Sequence, residues 1–355
     1  MAKKITMQQI ANQLGVSKYV VSKALSGKSG VSAATRERVL HTAAQLGYTV
    51  AKGGLAEGEP EAATGGVLAG GKRTVVVLMP NIRFQTKKNL YWGRVLEGIS
   101  QEIAALQLQM VIVTEQGDRI LELFQRDSLI GAIVVGKTPS AVLLDLNRAG
   151  LPLVLIDHDD PLVQTDSLFV NNYDSIARLA SHLISLGHRE LRFIGPLGYS
   201  RSFLERWIGF RMTLEEHRIE PERGETLPYL TERSENVARI GEWLQTALQA
   251  PNPPTAFVCA NDDLALATLE ALTRLGIRVP EQVSVTGFDN IEDAYHSEPP
   301  LTTINVAKEA LGKRAVETLL ARIDKPTQPF GKFLMAGEMI LRDSAGPIPW
   351  KETDR

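Results

Sequence analysis

The chain has 355 residues, 44% of them hydrophobic and 23% charged, enough for two or three domains with a sizeable buried core. Its single cysteine, Cys259, excludes an intrachain disulfide framework, and its six histidines give no zinc-ligand spacing, so no metal or cofactor is expected. No apolar run reaches membrane-span length and the first residues, MAKKITMQQ, lack an apolar signal region; a cytoplasmic protein with no membrane partner is expected.

Residues 5–26, ITMQQIANQLGVSKYVVSKALS, read as two short helices joined by a turn. Thr6 stands at capping-box spacing before Gln9, so the first helix should start near Met7, with Ile10, Ala11 and Leu14 on its apolar face. Gly15 permits the reversal, and Ser17 is placed to cap the second helix, whose buried stripe is Val20, Val21, Ala24 and Leu25. Lys18, Tyr19, Ser22, Lys23 and Ser26 are left facing outward. Cationic and hydroxyl groups on such a face suit phosphates and base edges in a DNA major groove, although a helical hairpin with a solvated basic face would share the pattern.

The next stretch favours DNA. Residues 30–48 read as a third helix, capped by Ser32 and packed through Val39, Leu40, Ala43, Ala44 and Leu46. Through Val50, seven basic residues are opposed only by Glu37, giving +6; since the whole chain carries −2, the remainder carries −8. That segregation marks a nucleic-acid module attached to something else.

Residues 51–73, AKGGLAEGEPEAATGGVLAGGKR, then change texture, with seven glycines and Glu57, Glu59 and Glu61; a mobile linker is expected. From Thr74 strands and helices alternate. Strands are expected at 74–79, 110–114, 131–136 and 153–157, with helices near 91–106, 118–127 and 139–149. A second set has helices at 173–187, 201–218, 234–248 and 261–275 and strands at 192–195, 256–260 and 283–288; a helix at 306–323 and a strand FLMAGEMIL (333–341) close it. The fold class expected is an all-α helix-turn-helix head followed by an α/β domain of two doubly wound parallel-sheet subdomains facing each other across a cleft. The domains are 1–50, the linker 51–73, and 74–344 (subdomains 74–170 with 306–333, and 171–305 with 334–344), with a tail at 345–355. No heptads follow Ser344, so a dimer is expected rather than a tetramer.

Ligands of open α/β sheets bind beyond the carboxyl ends of strands. Those ends carry Asn81, Asp157, Asn261, Asp262 and Asp289, while Arg206, Trp207, Tyr91 and Trp92 stand nearby in sequence. An Arg fork suits vicinal hydroxyls or a carboxylate, and an aromatic face suits the C–H face of a pyranose; helix capping and core filling are the competing uses of the same residues. One of Asp262 and Asp263 is expected to be a cap. With no nucleophile elbow, dinucleotide fingerprint or Walker loop, no catalysis is expected.

The motifs I-A-x-x-L-G-V-S (10–17), V-S-K-A-L-S-G-K (21–28), V-S-x-x-T-R-E-R-V (31–39) and L-G-Y (46–48) resemble the LacI/GalR (lactose-repressor) family. So do A-N-D-D-L-A-L-A (260–267), R-V-P-E-Q-V-S-V-T-G-F-D-N (278–290) and P-P-L-T-T-I (299–304). The resemblance implies a homodimeric transcriptional repressor that binds a near-palindromic double-stranded DNA operator under control of a small effector, a sugar or sugar phosphate, less often a purine. A solute-binding protein without DNA regulation is the alternative that the cleft alone would permit. On this reading Lys18, Tyr19 and Lys23 read bases, and Thr6, Ser17, Ser22, Ser26 and Lys28 contact the backbone or groove. Leu68 matches the family's hinge leucine best, with Leu55 the alternative, and the flanking glycines would confine any hinge helix to about 62–69. The resemblance implies that Asp157, Arg206, Asn261 and Asp289 contact the effector; Trp207, Asn81, Tyr91 and Trp92 are added from the residues themselves, and the loop 82–93 departs from the family's shorter one.

Overall fold

The computed structural model describes residues 7–25, 73–79, 91–114, 128–221 and 233–348, with Ser32, Thr35, Arg38, Val39 and Thr42. The linker through residue 72, the helix expected near 118–127, and Thr6, Ser26, Lys28, Leu68 and Asn81 lie outside the described residues. The chain divides into a unit over residues 1–66 and a second over 67–355.

In the first unit, α1 (Met7–Leu14) and α2 (Lys18–Leu25) are joined through Gly15 at φ +65°, a conformation that costs glycine little. Ser17 Oγ accepts from the Val20 backbone N–H at 3.3 Å, capping α2. Thr35, Arg38, Val39 and Thr42 are helical, and Ser32 Oγ accepts from the Thr35 N–H at 3.2 Å. Ile10, Ala11, Val21, Ala24 and Val39 form the small core.

The second unit holds two α/β subdomains. The first is a six-stranded sheet of β1 (Thr74–Leu78), β2 (Gln109–Val113), β3 (Leu129–Val135), β4 (Leu153–Ile156), β5 (Asp166–Val170) and β10 (Lys332–Met335), in the order β10-β5-β4-β3-β1-β2 and parallel throughout. Its central strands β1, β3 and β4 are near-continuous apolar runs because both faces are covered. Val75 and Val77 face α3 (Tyr91–Ala105) and α10 (Lys308–Asp324), whereas Val76 and Leu78 face α4 (Ser140–Arg148). Gly98 of α3 and Gly312 of α10 let those two helices touch: a Cβ on Gly98 would overlap the Glu309 carbonyl, and one on Gly312 the Val95 carbonyl.

The second subdomain centres on parallel strands β6 (Leu191–Ile194), β7 (Ala256–Cys259) and β8 (Ser284–Thr286). Around them pack α5 (Asn172–Ser185), α6 (Arg201–Glu216), α7 (Arg233–Ala247) and α8 (Asp262–Arg274), with the short α9 (Glu292–His296) at one side. Alongside β8 runs β9 (Thr303–Asn305), which pairs antiparallel with β11 (Glu338–Ile340).

Three departures from the expected pattern have physical causes. FLMAGEMIL is not one strand: β10 runs in the first sheet as far as Met335, and β11 belongs to the second subdomain. The crossing at Ala336–Gly337 presses on Ile304 and Ser175, where a Cβ on Gly337 would clash. The strand β5 escapes a pattern search because it opens with Asp166 and Ser167, both buried; Asp166 accepts a bidentate pair of bonds from Arg322 (2.8 and 3.1 Å) 156 residues away. Neither aspartate of the 262–263 pair caps α8. Asn261 does, accepting from the Leu264 N–H at 3.0 Å, while Asp262 is buried beneath it and Asp263 pairs with Arg233.

Candidate functional site

Arg206 organises the polar groups where the two subdomains meet. It is 4% exposed, on the inner face of α6. Its Nε donates to Asn172 Oδ1 (2.9 Å), Nη1 to the Ala260 carbonyl (2.6 Å) and Nη2 to Asp289 Oδ1 (3.4 Å), and its guanidinium stacks 3.6 Å from the centroid of Phe288. The fork therefore links α5 with the ends of β7 and β8. Asp289 sits at φ +111° and Asp157, just past β4, at φ +53°, both in the positive-φ region that side-chain-bearing residues rarely adopt and that clusters at functional sites.

Carboxylates from both subdomains converge here. Ser202 Oγ donates to Asp157 Oδ1 across the boundary. Burial raises the Asp157 carboxyl to about 6, offset by that hydroxyl and by Arg206. Burial likewise raises Asp289, opposed by Arg206 and Lys308. The Tyr91 phenol is pushed well up by burial and then by the negative charge of Asp289 and Asp157, so α3 brings Tyr91 to the same locality. Its ring packs against the cores of both subdomains, edge-to-face with Trp92 at 4.8 Å. Lys308, at the start of α10, donates its Nζ to the Asp289 carbonyl. Tyr199, half-exposed and tilted against Phe203 with centroids 4.9 Å apart, is also raised, by burial and then Asp157 and Asp263.

The structure thus brings Asp157, Arg206, Asp289 and Tyr91 together. Asn261 lies at the same strand end, with its side-chain oxygen engaged in the α8 cap. Trp207 is a correction: one residue on from Arg206 along α6, its ring turns into the core against Phe193 (5.6 Å) and Phe210 (5.9 Å). Asn172, Ser202 and Lys308 were not anticipated. Asn172 follows β5, so missing that strand hid its end; Ser202 and Lys308 sit in the first turns of helices, where polar residues are ordinary. Carboxylates, a held guanidinium and a phenol gathered at the subdomain boundary supply acceptors and donors for a hydroxyl-bearing ligand. Among the described residues no cluster of metal-ligating side chains is present, and no helix is long and apolar enough to cross a membrane.

In the head, Lys18, Tyr19 and Ser22 are exposed on α2, and Lys23 Nζ lies 5.1 Å from the centroid of the Tyr19 ring.

Residues 6–50 match the model of bacterial regulatory proteins of the lacI family, and residues 180–345 that of a periplasmic binding protein-like domain. The chain is 28% identical to the ribose operon repressor of Haemophilus influenzae over 96% of this chain and 98% of that one. It is 26% identical to the transcriptional repressor PurR of Vibrio vulnificus over 97% and 99%. Its fold matches the lac repressor dimer solved with operator and an anti-inducer, at TM-score 0.64 and 23% identity over 97% of this chain and 100% of that one.

Proposed function

The chain belongs to the lacI family of bacterial regulatory proteins and is a DNA-binding transcriptional regulator; on that premise we propose that it is a cytoplasmic repressor whose homodimer places one α2 helix in each half of a near-palindromic operator and answers to a small polyhydroxylated effector in the cleft around Arg206. The observation that carries the effector reading is Arg206 itself: a guanidinium buried to 4% and fixed by three hydrogen bonds, with Asp157 and Asp289 beside it on opposite walls. Such a group is pre-oriented to recognise adjacent hydroxyls, and the carboxylates supply acceptors. Asp157, Asp289, Tyr91 and Asn261 line the proposed effector site, with Trp92 behind Tyr91. Lys18, Tyr19 and Lys23 are proposed to read bases, and Ser17 and Ser22 to meet phosphates.

A purine effector is the second reading, favoured by the Tyr91–Trp92 aromatic pair and by the likeness to a PurR repressor. Thermal-shift titration with neutral sugars, sugar phosphates and purines separates the two, since a ligand at 100 times its Kd stabilises the folded chain by about 2.7 kcal/mol. We expect the Arg206→Ala variant to lose the response to whichever class binds while its affinity for DNA stays within about twofold. Normal ligand response in that variant would move the site elsewhere.

A further inference from the structure

The N-terminus of α6 meets the end of β4 across the subdomain boundary. Arg201, its first residue, donates from Nη1 to Asp159 Oδ2 at 2.6 Å, and from Nε to Glu205 Oε1 of its own helix at 2.6 Å. Asp159 stands just past β4, two residues beyond Asp157, to which Ser202 is bonded. The same Asp159 Oδ2 accepts from Lys332 Nζ, also at 2.6 Å, and Lys332 opens β10. Beneath these charges lies Phe169 of β5, fully buried, with the Arg201 guanidinium 4.9 Å and the Lys332 ammonium 5.6 Å from its ring centroid.

Ion pairs elsewhere, such as Arg206–Asp289, Arg233–Asp263 and Arg322–Asp166, stay within one subdomain. Arg201–Asp159 joins the two. Lys332 is held in place independently. The loop before it is pinned by the Arg322 guanidinium, which donates to the carbonyls of Pro326, Gln328 and Pro329, and the Gly331 N–H donates to Asp166. Asp159 therefore keeps a cationic partner when Arg201 withdraws, so parting the subdomains does not strand that carboxylate. Partial burial would raise the Asp159 carboxyl, but Lys332 and Arg201 outweigh it and hold the group below its ordinary range.

We propose that Arg201, Asp159 and Lys332, seated on Phe169, form a ligand-independent ionic latch across the cleft, through which ionic strength sets how far the two subdomains stand apart. Each of the three charged side chains is about two-fifths exposed, 39–41%, so solvent ions reach the latch and screen it. The stacking on Phe169 gives Arg201 a second hold that a bare ion pair would lack. Opening requires that Arg201 leave Asp159 and the ring and that Ser202 release Asp157; the Lys332–Asp159 pair stays in the first subdomain. The latch does not depend on which effector the protein binds.

Spin labels on Asn147→Cys in α4 and Gln245→Cys in α7, both exposed, report the separation in the full chain, and the native Cys259 is buried and does not compete. Double electron–electron resonance without added ligand, at about 0.02 and about 0.5 M salt, is the test. With the doubly labelled chain diluted into excess unlabelled chain, so that only distances within one protomer are read, we expect one distance population at low salt and, at high salt, transfer of about half of it to a second population. Arg201→Gln and Asp159→Asn should populate that second state at both salt levels and respond little to salt. Arg201→Lys should restore part of the salt response, while Arg211→Gln, which breaks only a pair inside α6, should behave as the parent. Identical distance distributions in the parent and Arg201→Gln at low salt would overturn the proposal, as would a parent insensitive to salt.

Discussion

At the scale of one residue, Asp262 shows how a buried carboxyl ties protein stability to pH. It is fully buried, accepting from Thr303 Oγ1 at 2.5 Å and from the Ile291 N–H at 2.8 Å. Burial and then the neighbouring Asp289 charge push it up to about 8, against the pull of those two donors and Lys308. A raised carboxyl binds its proton more tightly folded than unfolded, so its contribution is full below the unfolded value of 3.8 and is lost as pH rises toward 8. His158, His182 and His188 are lowered by burial and Asp157 is raised to about 6, which leaves the window from 6.5 to 8 to the raised carboxyls Asp262 and Asp289, and an Asp262 variant separates their shares. Unfolding by urea should show the chain losing stability across that window by up to about 1.4 kcal/mol per pH unit from this group. Asp262→Asn, which Thr303 can accommodate by rotating its hydroxyl, should flatten the slope. Parallel pH profiles for the two proteins would rule Asp262 out as the cause.

Among elements, two helical glycines make opposite predictions from the same chemistry. Gly98 lies where α3 meets α10, and an added methyl would overlap the Glu309 carbonyl and its Cα. Gly241 lies in α7, where the nearest atom to an added methyl is the Ala271 Cβ at 3.9 Å, an ordinary contact. Helix propensity alone favours alanine over glycine by about 1 kcal/mol at either place. We therefore expect Gly241→Ala to stabilise by about 0.5–1 kcal/mol. Gly98→Ala should destabilise by about 2–4 kcal/mol, because two backbones must separate along an otherwise close-packed pair of helices. Denaturant midpoints of the two variants decide it; equal signs would mean that the α3–α10 approach is looser than its geometry indicates.

For the whole molecule, charge is divided by task. Residues 1–50 carry +6 and the remainder −8, so the head is drawn to DNA while the larger unit is repelled by it. Contacts with phosphate fall off with salt on any sequence, whereas a base contact discriminates. Replacing Lys23 with alanine should cost about 1–3 kcal/mol on a duplex selected from a randomised pool and much less on random DNA. Titration of both duplexes by fluorescence anisotropy measures the difference. Equal losses would make Lys23 a phosphate contact.

Much of this molecule is written in short-range pattern. The head is legible because a cap, a reversal at Gly15 and apolar residues at helical spacing all lie within about twenty residues. Strands such as Thr74–Leu78 and Ala256–Cys259 are legible because burial on both faces demands unbroken apolar runs, and Asp157 and Asp289 stand out as polar groups that end such runs. Other features depend on partners far away in the chain. Asp166 and Ser167 begin a buried strand because Arg322 satisfies the carboxylate from α10. Gly337 divides one apolar stretch between two sheets because Ile304 and Ser175 leave it no room for a side chain. Arg206 and Trp207 look equivalent as neighbours in sequence, yet one residue of helix turns the first toward the cleft and the second into the core. Arg201 reads as an ordinary surface arginine until α6 is set against the end of β4. Pattern reports which faces must be buried; only the packed chain decides which distant charge meets which.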